Sequence, residues 1–276
     1  MRRRPAGRLA VCLFGLLIPF CSQASDSDAA IWKGTSGKYA IEWSASALRA
    51  TRSDTNQIAF DARAEAQAEW SRIVQTSPGA RLKAEFTYRL LSAAGPYLSI
   101  EEGEYCDCGG AHPTAVKKFR TIALDRSTAD SPQAASLREL FPPQEIFKAL
   151  VSDSAVHKAL GSDAVPASLN ELLDRLIDQT VRVGECEYRF PQSLMASFAF
   201  YEISEDRILV RLGLPSAVES CRGQLTQLGL TLAPSEAIRV LFLGANRQHE
   251  GLLMMDEERL MRSGVTSFSF TQAARR

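Results

Sequence analysis

Cys106, Cys108 and His112 stand together in the stretch EYCDCGGAHPTAV. Two thiolates and an imidazole at this spacing can ligate zinc or copper(I). A free thiolate beside a histidine can act as a nucleophile with its base, provided a third group orients the pair. Two cysteines one residue apart can also cycle between dithiol and disulfide. Against the metal reading, no fourth ligand stands nearby. Against the nucleophile, no oxyanion device is recognisable. Gly109 and Gly110 admit positive φ, and Pro113 restricts the residue before it, so the same stretch specifies a tight, rigid turn between two strands. The turn then serves as scaffold or as a recognition surface. Tyr105, Gly109, Gly110 and His112 are the candidate binding loop. No catalytic residue, metal ligand set or cofactor is assigned.

Which chemistry the cysteines perform depends on compartment. The chain opens MRRRPAGRLAVCLFGLLIPFCSQASDSDAA. Four arginines, an apolar run over 9–20 and a small-residue site ending at Ala24 form the pattern of a secretory signal peptide. The run is about a dozen residues, short of the roughly 20 a spanning helix needs. A retained anchor and a lipid on Cys21 are the alternatives, but Phe20 occupies the place where lipidation sites carry a small residue. Cleavage after Ala24 is expected, leaving a periplasmic or secreted chain with no membrane span. It removes four of the 32 Lys+Arg and no acid, so 28 basic residues face 32 acidic ones, a net charge of −4. That balance argues against nucleic acid as a partner.

Cys12 and Cys21 leave with the leader. Cys106, Cys108, Cys186 and Cys221 remain, and an even count in an exported chain reads as disulfides with three possible pairings. On an extended strand Cys106 and Cys108 face the same way, because alternation has period 2. Both can then reach a neighbouring element. The expected pairing therefore joins each of them separately to Cys186 and Cys221. The rival is a local Cys106–Cys108 bond with Cys186–Cys221.

The turn must be held by strands, and the pattern supplies them. Leu82, Ala84, Phe86, Tyr88 and Leu90 alternate strictly. YLSIEEGEY and VKKFRTIALD follow as antiparallel partners, with CDCGGAHP as the connecting loop of a meander. KYAIEWS is an earlier strand. Residues 25–37 read as a flexible leader. A helix is expected from a cap at Asp54 or Thr55 through Ala62, Ala66, Trp70, Ile73 and Val74, stopped by Ser77-Pro78-Gly79. Ile146, Phe147, Leu150, Val151 and Leu160 mark a second helix that carries His157. Ser168 and Glu171 form a capping box opening a third. ASFAFYEI and RILVRLGL read as a hairpin, and QLGLTLAP and IRVLFLG as further strands. Residues 246–276 form a tail containing His249, a short helix in EGLLMMDEERLMR, and TSFSFTQAARR without an evident role. Glu101, Glu102 and Glu104 can meet a cationic partner, although a solvated strand face is the plainer reading. The expected architecture is α+β, mostly antiparallel sheet with helices packed on one side. Two interleaved subdomains span 38–135 and 136–245.

Residues 96–141, PYLSIEEGEYCDCGGAHPTAVKKFRTIALD followed by LRELF, resemble the extracytoplasmic domain of RsiV-type lysozyme-sensing anti-sigma factors. Related domains occur in many exported bacterial proteins of unknown function. The likeness is carried by Leu98-Ser99-Ile100, Tyr105, Gly109-Gly110-Ala111-His112, Asp125 and the Leu137–Phe141 element. FAFYEISEDRILVRLGLPSAVESC extends it, so that it covers roughly 38–243. The resemblance implies an envelope location and a binding task toward an envelope protein or a peptidoglycan-related ligand, a lysozyme-type hydrolase being the family's example. The chain carries neither the cytoplasmic domain nor the spanning helix of those anti-sigma factors, nor deacetylase motifs. Signalling and deacetylation are therefore not expected of it.

Overall fold

Aromatic and β-branched residues at alternate positions start the chain's first sheet. In the computed structural model, which describes residues 29–161, 166–204, 206–242, 245, 250–255 and 264–274, β1 (Ala30–Ser36), β2 (Tyr39–Ser44), β3 (Leu48–Arg52) and β4 (Ile58–Asp61) form an antiparallel meander. The leader expected over 25–37 is thus strand from Ala30 onward, because Trp32 pairs with Trp43 and the strand gains a ladder there. The helix expected from residue 54 starts later. Residues 58–61 pair with β3 instead, which buries Ala59 and Phe60 completely or nearly so. Burying a phenylalanine is worth roughly 2–3 kcal/mol, against a few tenths per residue of helix propensity. Asp61 is the actual cap: its carboxylate accepts from the backbone N–H groups of Arg63 and Ala64 and opens α1 (Ala62–Thr76).

The predicted meander follows. β5 (Leu82–Ala94), β6 (Tyr97–Asp107) and β7 (Thr114–Ala123) pair in sequence. After it come α2 (Leu137–Leu140), α3 (Pro143–Val151), α4 (Ser154–Leu160) and α5 (Leu169–Leu176). The helix expected over 146–160 is two, broken where Asp153 caps α4 through Ala155 N and Val156 N. Ser168 caps α5 as expected, accepting from Glu171 N at 3.2 Å. The Glu171 carboxylate reaches Ala167 N at 2.8 Å rather than the cap residue's own N–H. β8 (Thr180–Val183) and β9 (Cys186–Arg189) form a small hairpin that the sequence pattern did not announce. β10 (Phe198–Ile203), β11 (Ile208–Pro215) and β12 (Leu225–Leu232) make a second antiparallel sheet.

Two further expectations change. IRVLFLG is not a strand: Ile238 and Phe242, four apart, turn one face into the core while Val240 and Leu241 stay exposed, so the segment is α6 (Glu236–Phe242). TSFSFTQ is not a tail without a role: β13 (Thr266–Gln272) pairs antiparallel with β5 and completes the central sheet in the order β13-β5-β6-β7. The signal sequence with Cys12 and Cys21, His249 and the segment 256–263 lie outside the described residues.

The fold is α+β with antiparallel sheets. The central sheet is shared between two cores. One face of it packs with β2, β4 and α1 around Tyr39, Trp43, Phe60, Ala66 and Phe86. The other meets the β10–β12 sheet through Leu91, Phe119 and Ala199. Beyond that second sheet, α2–α5 close the larger core over Phe198, Val210 and Leu230.

Candidate functional site

The strand register decides which side chains share a face. Phe86 pairs with Glu104 and Tyr88 with Glu102 across β5 and β6. Glu104 pairs with Val116 and Glu102 with Lys118 across β6 and β7. These six residues therefore lie on one face of the central sheet, beneath α1. On α1, Glu65, Glu69 and Arg72 follow a 3.6-residue period and look toward that face, while Ala62, Ala66 and Ile73 are buried. Ala64 and Ala68 are too small to fill the space between them. A cleft of about 530 Å³ results, closed on its third side by Ala129, Asp130 and Pro132.

Arg120 lies at the base of this cleft and holds two carboxylates. Its Nη2 donates to both oxygens of Glu65 and makes an ion pair with Glu102. The Glu102 Oε1 contact lies off the hydrogen-bonding direction, leaving that buried oxygen with charge attraction but no hydrogen bond. Lys118 supports Glu102 from the cleft side at 3.1 Å. Arg120 and Lys118 balance Glu65 and Glu102, and Arg72 balances Glu69, so the excess of negative charge in the lining comes from Glu104 and Asp130. Burial pushes the Glu65 carboxyl above its ordinary value, Arg120 opposes this, and Glu102 adds to it. Burial works against the charge on Arg120, but Glu102 and Glu65 outweigh it and hold it protonated. Burial also raises the Tyr88 phenol, with Glu65 and Glu102 adding to the effect.

Glu104 differs from its neighbours. It is half-buried in the cleft wall with no ion pair or hydrogen bond among the described residues. Burial raises its carboxyl, and Glu69 raises it further; Lys118 and Arg72 act on it only through space. Arg72 is taken by Glu69.

The loop chosen from sequence lies elsewhere. Gly109, Gly110 and His112 are exposed at the tip of the β6–β7 hairpin, and Gly109 has φ 83°, which explains a glycine there. The tip is pinned from behind: Arg222 donates to Pro113 O, and Gly223 N to Ala115 O at 3.1 Å. Tyr105 is exposed, but it projects from the opposite face to Glu104, away from the cleft. The structure does not gather these four candidates into one concave site. His157 sits on α4, apart from them.

The disulfides follow the rival pairing. Cys106 pairs with Cys108 and Cys186 with Cys221, with Cα–Cα separations of 5.3 and 5.9 Å. Alternation does put Cys106 and Cys108 on one face, as expected, but that face looks into the core beside Trp70, Val74 and Ala84, so each sulfur's neighbour is the other. Cys221 lies in the connection between β11 and β12, which is held against β9 where Ala217 N donates to Glu187 O at 2.7 Å. Among the described residues no three His, Cys, Asp or Glu side chains converge as a metal site, and no helix is long and apolar enough to cross a membrane.

The cleft residues come from five separate segments, so proximity was invisible in sequence. One signal was present: Glu102 and Glu104, two apart on a strand, share a face. No protein-family model, curated protein or solved structure matches the chain.

Proposed function

We infer that the chain is an exported, non-catalytic binding protein of the cell envelope that engages a cationic partner through the cleft between α1 and the central sheet. The observation that carries this reading is Glu104, a half-buried carboxylate without a partner in a lining of net negative charge. An incoming ammonium or guanidinium would supply the missing counter-charge, and Phe86 and Val116 would flank its aliphatic stem. The mature charge of −4 favours encounter with a basic protein. The likeness to lysozyme-sensing domains supports a lysozyme-type hydrolase as that partner, and a peptidoglycan fragment is the alternative ligand. Neither the exposed hairpin tip nor the paired cysteines offer an arrangement for catalysis.

The test is calorimetry of the mature protein against a lysozyme and against soluble muropeptides. Binding to the lysozyme that weakens about tenfold in Glu104→Gln is expected, the loss of one charge-assisted contact. Absence of binding at high micromolar concentration, or binding indifferent to Glu104→Gln, removes the cleft as the site.

A further inference from the structure

β12 is an open sheet edge. Among the described residues it pairs with β11 alone, and the bond from Ser216 N to Gln224 O sets the phase of that ladder. Thr226, Leu228, Leu230 and Leu232 bond to β11, so Gln227, Gly229 and Thr231 direct their N–H and C=O groups outward. All three outward residues are exposed. Edges are normally blunted by charges, proline or a bulge. β12 has none of these: its sequence is LTQLGLTL and its register with β11 is unbroken.

Beside this edge runs an open groove of about 650 Å³ between Gly229, Thr231 and α3. Its carboxylates are already engaged. Glu145 pairs with Lys148 at 3.4 Å, and Asp153 caps α4. Its two cations, Lys148 and Arg207, match these carboxylates in number, and a further guanidinium, Arg211, stands outside the groove on β11 opposite Gly229. Arg207 meets Asp206 only at 4.0 Å. Arg211 has the Tyr201 ring, 4.3 Å away, and no carboxylate among the described residues. Its Nη1 lies over Gly229, 2.5 Å from where a Cβ would stand, so the guanidinium rests on the bare backbone beside the open edge.

We propose that β12 accepts an extended, acidic segment of a partner protein as an added strand, with a carboxylate opposite Gly229 bound by Arg211. Main-chain bonds to Gln227, Gly229 and Thr231 supply affinity, and Arg211 supplies the charge preference. A side chain directly opposite Gly229 on an adding strand stands about 5 Å away, within reach of that guanidinium. The surface is separate from the cleft and selects the opposite charge.

The probe is a fluorescent octapeptide of alternating threonine and valine with one central glutamate, compared with its lysine counterpart by anisotropy. The glutamate peptide should bind about tenfold more tightly. N-methylation of its edge-facing amides should abolish binding, and Arg211→Glu should invert the preference. Thr231→Pro removes one outward N–H without touching the β11 ladder and should weaken both peptides. No binding, equal binding of the two peptides, or indifference to N-methylation overturns the proposal. So does a dimer in sedimentation that Thr231→Pro dissolves, since a second copy then fills the edge.

Discussion

Glu104 is a carboxylate whose ionisation costs the folded chain stability. Its folded value is raised, so its contribution to stability is complete below the ordinary carboxylate value and is lost as pH rises through the raised one. Glu104→Gln should therefore leave the protein unchanged or stabilise it at neutral pH, by no more than about 1 kcal/mol because the group is half solvated. Binding should run the other way: affinity for a basic partner should increase as pH rises from the ordinary carboxylate range through the raised value of Glu104, and Glu104→Gln should flatten that rise. Chemical denaturation and calorimetry across mildly acidic pH read both; a destabilised variant with an unaltered pH profile would assign Glu104 to the scaffold. The cysteines divide in the same way. Cys186–Cys221 closes a loop with a sequence separation of 35, worth roughly 3–4 kcal/mol in the chain-entropy account, whereas Cys106–Cys108, with a separation of 2, is worth less than about 2 kcal/mol. Cys186→Ser with Cys221→Ser should lower the denaturation midpoint about twice as far as the other double variant.

β13 shows what an element near the end of a sequence can hold. Phe268 is buried, and the Phe270 ring stacks on Trp70 of α1 at 5.6 Å and meets Phe86 at 5.8 Å. The strand thus ties α1 to the central sheet and fixes one wall of the cleft. Phe268→Ala should cost about 3–5 kcal/mol, and hydrogen exchange should show faster exchange in β5 and α1 before the β10–β12 sheet responds. Equal acceleration everywhere would deny that link. Sequence foretold β5 because five apolar residues alternate where the strand has one buried face throughout. It did not foretell β13, whose Ser267 and Ser269 alternate with Phe268 and Phe270 but which only reads as a strand once β5 offers an edge. It misread α6 because a short apolar segment, interrupted only by Arg239, satisfies both periods, and only burial of Ile238 and Phe242 decides between them. The cleft was half legible. Alternation placed Glu102 and Glu104 together, yet nothing local said that α1, rather than water, would cover them.

At the scale of the molecule, the central sheet must serve both cores at once, and the seam is built from polar and small residues. Ser99 Oγ and Thr121 Oγ1 bond at 2.8 Å within the sheet, Thr121 donates across to Phe198 O, and Phe200 N donates to Ser92 Oγ at 3.2 Å. All three side chains are buried. Leaving such a backbone partner unsatisfied costs about 1–3 kcal/mol. Beside them Phe119 lies flat on β11, where a Cβ at Gly213 would come within 2.8 Å of Phe119 Cγ. Only glycine lets the two sheets approach this closely, and the ring that covers it belongs to the opposite sheet. The two cores should therefore unfold together, although each is large enough to be a separate unit. The expected result is one calorimetric transition with equal van't Hoff and calorimetric enthalpies. Gly213→Val should push Phe119 away, cost about 1–3 kcal/mol and split the transition in two, with Cys186–Cys221 reporting the half that holds β9 and β10–β12. A wild-type protein that already melts in two steps, or a Gly213→Val variant that melts in one at an unchanged midpoint, would mean that the seam does not couple the cores.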